Sequence, residues 1–191
     1  LVKTAQLISD GKIVGWYQEK MEWGPRALGN RSILADPRKS EMKDILNEKI
    51  KHRESFRPFA PSILEEFYSE YFDISVPSPY MLMVAPVKKP NKIPAVTHVD
   101  GTGRVQTVSK TSNLLYHKLI SEFYELTGVP VIINTSMNVR GEPIVCTPQD
   151  AYRCFMRTEM DILVLQNQIL FKSEQPKVEK DETWMQEFEL D

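Results

Sequence analysis

Polar side chains that could bind an anion follow directly on an apolar, β-branched run at residues 129–133 (VPVII). Such a run is typical of a strand buried on both faces. Asn134, Ser136 and Asn138 come next at alternating positions, so an extended backbone places them on one face. With Arg140 they form a donor-rich group suited to phosphate or carbonyl oxygens. The pattern predicts a ligand site at the end of a sheet strand, and an ordinary strand-to-turn exit is the alternative.

A second candidate region is the glycine- and proline-containing stretch at residues 24–32 (GPRALGNRS). Small residues let a backbone come close to a ligand, and Arg26 and Arg31 are candidates for binding an anion through paired N–H groups. The alternative interpretation is a Gly-Pro turn with two solvated arginines. This stretch alone does not decide between them.

A third candidate region is the basic stretch at residues 51–61 (KHRESFRPFAP). Lys51, Arg53 and Arg57 place three cations within seven residues, and Pro58 favours an extended backbone at Arg57. A basic helix C-terminus, where cations complement the helix dipole, is the alternative. Arg57 lies beyond the predicted helix, so that alternative does not explain it.

A further cation, Arg104, begins a predicted strand after the turn at residues 100–103 (DGTG). Alternation places Arg104 and Gln106 on one face of that strand. Gly-Thr-Gly is weak evidence for a phosphate loop, because no helix follows it. His117 lies in the apolar stripe of the clearest predicted helix and is interpreted as a surface or core residue. The three histidines are scattered, so they indicate no metal site on their own.

Hydrophobic periodicity and turn residues predict an α/β protein in which helices and strands alternate. Residues 172–191 are predicted to form a charged tail with a short amphipathic helix near 184–190. The predicted helices are residues 1–10, 40–50, 62–71, 113–127 and 148–157, and the predicted strands are 12–18, 33–35, 80–86, 104–108, 129–133 and 162–165.

Composition indicates an ordinary globular domain of 191 residues, with 41% apolar and 26% charged residues. No apolar run approaches the roughly 20 residues that span a bilayer, and no signal-peptide pattern is present. Two cysteines, Cys146 and Cys154, are too few for a disulfide framework; they are interpreted as buried apolar thiols in a protein of the reducing cytoplasm. Because the chain starts inside a predicted helix and without Met, we expect it to be a piece of a longer protein.

The formal net charge of −2 hides a local asymmetry. Residues 20–57 carry ten Lys or Arg against six acids, whereas residues 172–191 carry seven acids against three lysines. A modest basic region predicts small phosphate compounds as ligands and makes nucleic acid an unlikely partner.

Together the three stretches resemble the C-terminal half of NodU/TobZ/CmcH-type carbamoyltransferases. The resemblance covers residues 1–170 approximately, with the motifs in the same order. It implies a single YrdC-like domain over residues 1–171, with a twisted open sheet and helices packed on it, followed by the tail at 172–191. Lys51 with Arg53, and Ser136 with Asn138, match the Lys-x-Arg and Ser-x-Asn elements of the YrdC group.

The resemblance also implies an activity. In that family the domain binds ATP and carbamoyl phosphate, phosphate is released, and the resulting carbamate attacks the α-phosphate of ATP to give carbamoyl adenylate and pyrophosphate. A separate N-terminal metal-containing domain then transfers the carbamoyl group to a hydroxyl. Nothing in these residues resembles that domain, so we expect it to be a partner missing from this chain.

The resemblance, together with the charge of these ligands, implies roles for the polar residues. Lys51 and Arg57 are expected to be catalytic contacts to the reacting phosphates. The other residues are expected to bind ATP or carbamoyl phosphate: Arg26, Arg31, Arg53, Arg104, Asn134, Ser136, Asn138 and Arg140. Arg31, Arg53 and Arg140 are secondary candidates, and Glu54 or a helix end is an alternative partner for Arg53. Mg²⁺ is expected with the nucleotide, because no dedicated carboxylate cage is evident and no protein metal site is predicted.

Two other functions remain open at this point. One is a tRNA-modifying, threonylcarbamoyl-adenylate-forming YrdC-like protein, which would need a broader basic groove than the charge pattern provides. The other is a non-catalytic nucleotide-binding or interaction domain.

Overall fold

Eight strands form one mixed sheet in the computed structural model of the protein, which describes residues 1–176. The strands are β1 (Val14–Tyr17), β2 (Arg31–Ala35), β3 (Ala60–Leu64), β4 (Met83–Pro86), β5 (Thr102–Val108), β6 (Val131–Ser136), β7 (Ile162–Leu165) and β8 (Gln168–Phe171). The helices are α1 (Val2–Ser9), α2 (Met42–Leu46), α3 (Tyr68–Tyr71), α4 (Leu114–Thr127) and α5 (Pro148–Arg157). The predicted α/β class is confirmed.

The strand order across the sheet is β4-β5-β3-β6-β2-β1-β7-β8. Only the β1–β7 and β3–β5 pairs are parallel, and β6 runs antiparallel to both of its neighbours, β2 and β3. The rule that places ligands at the carboxyl ends of parallel strands therefore does not apply to β6. Asn134 and Ser136 lie on β6 itself, and Asn138 lies in the loop that follows it.

The helices that cover the sheet end where the sequence predicts. Helix α4 packs against α1, β3 and β6, and α5 packs against β1 and β7. The side chain of Asn113 caps α4, and Gly128 ends it with a left-handed backbone at φ 70°. Thr147 and Asp150 form a reciprocal capping box at the start of α5. Helix predictions that rest on such local signals are confirmed.

The prediction of a helix over residues 62–71 is wrong for its first half. Residues Ala60–Leu64 form the buried strand β3, a single 3₁₀ turn covers Glu65–Phe67, and only Tyr68–Tyr71 are α-helical. Pairing explains the difference. Pro61 is paired only with β6, and the ladder with β5 begins one residue later at Ser62. A proline is thus tolerated in a central strand because pairing on one side starts after it.

Three smaller corrections concern exposure and element number. The predicted buried strand at residues 80–86 is the edge strand β4, on which Met83 and Val84 are exposed. Strand β8, which the sequence analysis missed, follows β7 through a tight turn where Gln166 has φ 53°. Cys154 is buried as expected, but Cys146 is exposed.

The helix predicted over residues 40–50 is confirmed as α2 and continues as a π-helix over Asn47–Lys51. His52 ends it with a left-handed backbone at φ 46°. Near the other end of the chain, the Lys172 ammonium donates to the carbonyls of Phe155 and Thr158, where α5 ends. The predicted amphipathic helix near residues 184–190 lies outside the described residues. Within residues 1–176, no helix combines the length and apolar character needed to cross a membrane.

Candidate anion-binding site

Lys51 joins the π-helix to the loop that follows β6. Its side chain is buried, and its ammonium donates to the carbonyl of Ser136 at 2.5 Å and to the carbonyl of Asn138 at 2.9 Å. The ammonium donates a third hydrogen bond to Asn138 Oδ1 at 2.7 Å. The same oxygen accepts a hydrogen bond from Ser136 Oγ at 2.8 Å. Lys51 therefore positions Ser136 and Asn138, the two polar residues of the Ser-x-Asn element.

Burial is the main influence on the charge of Lys51. It lowers the pKa of the Lys51 ammonium to about 7, and Arg53 acts in the same direction. The three oxygen acceptors around Nζ favour the charged form and satisfy its three hydrogens. A direct contact between Lys51 and a phosphate would replace one of these bonds.

Four arginines converge on two cavities that share a wall. The smaller cavity, of about 100 Å³, is lined by Arg26, Arg53 and Arg104 together with Asn134 and Ser136. The larger, of about 320 Å³, is lined by the same three arginines and Arg57. We call these two adjoining cavities the arginine cleft. No acidic side chain of the described residues lines either one.

The arginines of the cleft are held by neutral groups as well as by charge. Arg53 Nε donates to Asn47 Oδ1 at 2.7 Å, and its guanidinium lies 4.8 Å from the centre of the Phe59 ring. Arg57 Nε donates to Glu54 Oε2 at 3.0 Å on a partly exposed surface. Glu54 was an alternative partner for Arg53 in the sequence. In the structure Glu54 pairs with Arg57, and Arg53 donates its hydrogen bond to Asn47.

The electrostatics of the cleft favour an anion. Burial lowers the pKa of Arg53, and Arg57 and Arg104 lower it further. Burial also lowers the pKa of Arg104, with Arg26 adding to the effect, and the Arg104 Nε is buried without a hydrogen-bond partner among the described residues. Like charges that line one cleft repel each other, and a bound anion relieves that repulsion.

Asn134 connects the cleft to the stretch at residues 24–32. Its Nδ2 donates to the Ala27 carbonyl at 3.1 Å and to Gln106 Oε1 at 2.7 Å, and Gln106 Nε2 donates to the Leu28 carbonyl at 2.8 Å. Asn134 Oδ1 is buried and has no partner within the part of the chain that the structure describes. Asn134 is one of the residues that line the smaller cavity.

Three predicted binding residues, Arg31, Asn138 and Arg140, do not line the cleft, and neither does the predicted catalytic residue Lys51. The Arg31 guanidinium lies 3.6 Å from the centre of the Tyr17 ring and donates to the carbonyls of Gln18 at 2.6 Å and Glu19 at 3.1 Å. Arg31 is 3% exposed, so it serves the fold in this conformation. Arg140 lines a separate cavity of about 500 Å³ that meets the cleft only at Arg53.

Two polar residues of the cleft were not among the predicted site residues: Thr135, which lines the smaller cavity, and His98, which lines the larger one. The sequence signal for His98 is the pattern His98-x-Asp100-x-Thr102, in which the Thr102 hydroxyl is hydrogen-bonded to the side chains of both His98 and Asp100. Among residues 1–176, no group of three His, Cys, Asp or Glu side chains is placed to hold a metal ion.

Comparison with known proteins gives a family match over most of the chain. The model described as "Carbamoyltransferase C-terminus" matches residues 5–172. Uncharacterized protein sll1178 of Synechocystis sp. is 51% identical over 99% of this chain, and Nodulation protein NolNO of Sinorhizobium fredii is 48% identical over 89% of it. The chain spans only 34% and 26% of the length of these relatives.

Two solved structures share the fold at low sequence identity. Full-length HypF in its phosphate- and nucleotide-bound form superposes with a TM-score of 0.62 at 17% identity, over 87% of this chain and 24% of that one. P. abyssi Sua5 complexed with L-threonine superposes with a TM-score of 0.57 at 17% identity, over 89% of this chain and 52% of that one. These similarities confirm the YrdC-like fold. The sequence matches show that this chain belongs to the carbamoyltransferase family, through the C-terminal domain of that family.

Proposed function

We propose that this domain activates carbamoyl phosphate with ATP to form carbamoyl adenylate. The observation that carries the proposal is the arginine cleft, whose two cavities are lined by Arg26, Arg53, Arg57 and Arg104 and by no acidic side chain of the described residues. A triphosphate and an acyl phosphate bring several negative charges into one place, and clustered guanidinium groups bind such oxygens through paired N–H donors.

The chemistry of the step fits a site without a protein nucleophile. The carbamate oxygen forms a bond to the α-phosphorus of ATP, the bond from that phosphorus to the bridging oxygen breaks, and pyrophosphate leaves. Phosphoryl and nucleotidyl transfer of this kind depend on positioning and on stabilisation of charge. The cleft supplies both through its four arginines and the loop held by Lys51.

The carbamoyl end is assigned to the smaller cavity. Its volume of about 100 Å³ suits a small group, and Asn134 Oδ1 there is a buried acceptor without a partner among the described residues. A carbamoyl amide presents N–H donors to such an oxygen. The phosphate end of carbamoyl phosphate and, after phosphate release, the triphosphate are assigned to the larger cavity, where Arg57 and Arg104 contact their oxygens.

Mg²⁺ is assigned to the nucleotide phosphates. The described residues that line the cleft offer hydroxyl and amide oxygens but no carboxylate, which fits an ion held chiefly by phosphate oxygens and water.

Transfer of the carbamoyl group to a hydroxyl acceptor is assigned to a metal-containing N-terminal domain. The curated relatives are about three to four times longer than the matched segment, so they contain room for such a domain. We place the whole reaction in the cytoplasm.

The test is exchange of labelled pyrophosphate into ATP. We expect exchange only when carbamoyl phosphate is present, and we expect Arg104→Gln and Arg57→Gln to lower its rate by about 10²-fold or more, because each removes a cation that contacts the phosphates. Arg153→Gln is the matched control: it makes the same change in net charge at an exposed residue of α5 that pairs with Asp150.

The outcomes separate the competing functions. Exchange that requires L-threonine and bicarbonate in place of carbamoyl phosphate would indicate a threonylcarbamoyl-adenylate-forming protein. Absence of exchange, together with absence of ATP and carbamoyl phosphate binding in calorimetry, would leave a non-catalytic interaction domain.

A further inference from the structure

His98 stands in a turn whose hydrogen bonds fix its imidazole at the wall of the larger cavity. The backbone N–H of His98 donates to the Thr102 carbonyl at 2.7 Å, and Gly101 N–H donates back to the His98 carbonyl at 2.9 Å. Thr102 Oγ1 lies 2.7 Å from Asp100 Oδ1 and 3.1 Å from His98 Nδ1. The three side chains therefore form a short relay that ends at the cleft.

The relay decides which imidazole nitrogen carries the proton. The Asp100 carboxylate can only accept, and the hydrogen bond from Thr102 lowers its pKa, so it is ionised at neutral pH. The single hydroxyl hydrogen of Thr102 then points to Asp100, and Thr102 Oγ1 must accept from His98 Nδ1–H. In the neutral ring, Nε2 is left with its lone pair, and no described residue donates a hydrogen bond to it.

The surroundings of His98 keep the ring neutral. Burial lowers the pKa of the imidazole below its ordinary value, Arg104 acts in the same direction, and Asp100 opposes them. The charged groups that line the same cavity are all cationic: Arg26, Arg53, Arg57 and Arg104. None of these guanidinium groups can accept a proton near neutral pH. Among the described residues that line the cleft, His98 is the only side chain with a basic lone pair.

We propose that His98 is the general base that activates the water which releases phosphate from carbamoyl phosphate. The role rests on the proposed function, since it concerns the step that precedes adenylate formation. The water oxygen forms a bond to phosphorus, the bond from phosphorus to the carbamoyl oxygen breaks, and carbamate and hydrogen phosphate are produced. The proton released from the water goes to His98 Nε2. Asp100 and Thr102 are positioning residues, because they act only through the imidazole.

The first test reads the tautomer directly, without any catalysis. In ¹⁵N-histidine NMR spectra of the chain at pH 7.5, we expect the resonances that disappear in His98→Gln to be those of a neutral ring with a proton on Nδ1. Thr102→Val removes the acceptor of that proton, so it should move the ring toward the Nε2–H form. A His98 that is cationic or has its proton on Nε2 in the unaltered chain overturns the proposal.

The second test separates phosphate release from adenylate formation. We expect His98→Gln to slow phosphate release from carbamoyl phosphate by about 10²-fold or more, the range of general-base catalysis. The same variant should keep pyrophosphate exchange when ammonium carbamate is supplied in place of carbamoyl phosphate, because the carbamate is then already formed. The rate in the unaltered chain should fall as pH drops through the pKa of His98, and His98→Gln should lack that fall.

Val99→Ala is the control, since Val99 is a fully exposed residue of the same turn and should leave both rates unchanged. Unaltered phosphate release in His98→Gln overturns the role of His98 and leaves the adenylation proposal standing. If His98→Gln loses carbamate-driven exchange to the same extent as phosphate release, the substitution has damaged the cleft in general, and the base role is also overturned. If the unaltered chain performs neither reaction, the proposed function and the base role both fail.

Discussion

Lys51 shows how a cation predicted to contact phosphate can also determine the shape of the site. Its three hydrogen bonds to Ser136 and Asn138 lie within 2.9 Å and connect two segments far apart in the sequence. The same contacts bring the Lys-x-Arg and Ser-x-Asn elements together in space. A spacing pattern cannot show this, because lysine and its acceptors are about 85 residues apart.

We expect Lys51→Met to destabilise the chain by about 1–3 kcal/mol at neutral pH, because three oxygens would lose their buried donor. The difference from the unaltered chain should depend on pH. The folded-state pKa of Lys51 is about 7, below the unfolded value near 10.4, so the unfolded chain binds more protons between these limits. Stability contributed by Lys51 should therefore rise with pH from about 7 to about 10, by at most ~1.4 kcal/mol per pH unit.

Urea unfolding at a series of pH values measures this difference. Lys49→Met is the control, because Lys49 lies on the same helical segment but is half-exposed and pairs with Glu159 at the surface. A difference between Lys51→Met and the unaltered chain that stays flat from pH 7 to 9.5 would show that the three oxygens keep Lys51 fully charged in the folded state.

At the scale of elements, the stretch at residues 24–32 approaches α4 through a glycine. Gly29 has φ 115°, and a Cβ at this position would lie 2.3 Å from Cδ1 of the buried Tyr116 ring. Its carbonyl also accepts a hydrogen bond from Trp16 Nε1 at 2.8 Å. The stretch that carries Arg26 is thus held between β1 and α4, and only glycine fits at the contact.

We expect Gly29→Ala to destabilise the chain by about 1–3 kcal/mol more than Gly24→Ala, the usual cost of overpacking a core. Gly24 is a close match, because it has φ 112° and a Cβ added there would meet no atom within 4 Å. Gly24→Ala therefore introduces the backbone strain without the clash. Urea unfolding of both variants gives the comparison. Equal destabilisation would mean that Tyr116 shifts freely and that the contact does not hold the stretch.

Elements that depend on local signals are the ones the sequence predicts well. Helices α4 and α5 have caps and breakers within a few residues of their ends. The sequence of strand β3 was predicted to be helical. It forms a strand because it pairs with β5 and β6, which lie about 40 and 70 residues away in the sequence. Local propensity cannot reveal such pairing.

The same distinction applies to the candidate site. Arg26, Arg53, Arg57 and Arg104 are all candidates from the sequence, and the structure brings them to one cleft. Arg31 looks equivalent to Arg26 in the sequence, but β2 places it against Tyr17 and backbone carbonyls. Which face of an element an arginine occupies follows from the tertiary fold, so spacing alone could not separate these two residues.

For the molecule as a whole, charge is distributed in a way that the net value conceals. The chain is formally −2, yet its cleft is lined by four arginines and by no acidic side chain of the described residues, although Arg57 also pairs with Glu54. Its local field is therefore attractive to anions even though the net charge is not. This arrangement fits small multivalent phosphates better than a long nucleic acid, which would need an extended basic surface.

We expect inorganic pyrophosphate to stabilise the chain against thermal unfolding, because it binds the folded cleft and not the unfolded chain. A concentration of 100 times its Kd adds about 2.7 kcal/mol. Added NaCl should reduce the affinity, since partly exposed arginines are screened as the Debye length falls from about 10 Å at 0.1 M to about 3 Å at 1 M. Differential scanning calorimetry with a pyrophosphate series at two salt concentrations measures both effects.

The comparison of Arg104→Gln with Arg153→Gln decides whether the stabilisation by pyrophosphate depends on the cleft or on the net charge of the chain. Both variants remove one positive charge, but Arg104 lines both cavities, whereas Arg153 lies on α5 and pairs with Asp150 at 3.6 Å. We expect only Arg104→Gln to weaken the stabilisation by pyrophosphate. If Arg153→Gln weakens it equally, the anion responds to the overall charge of the molecule, and the arginine cleft is not its binding site.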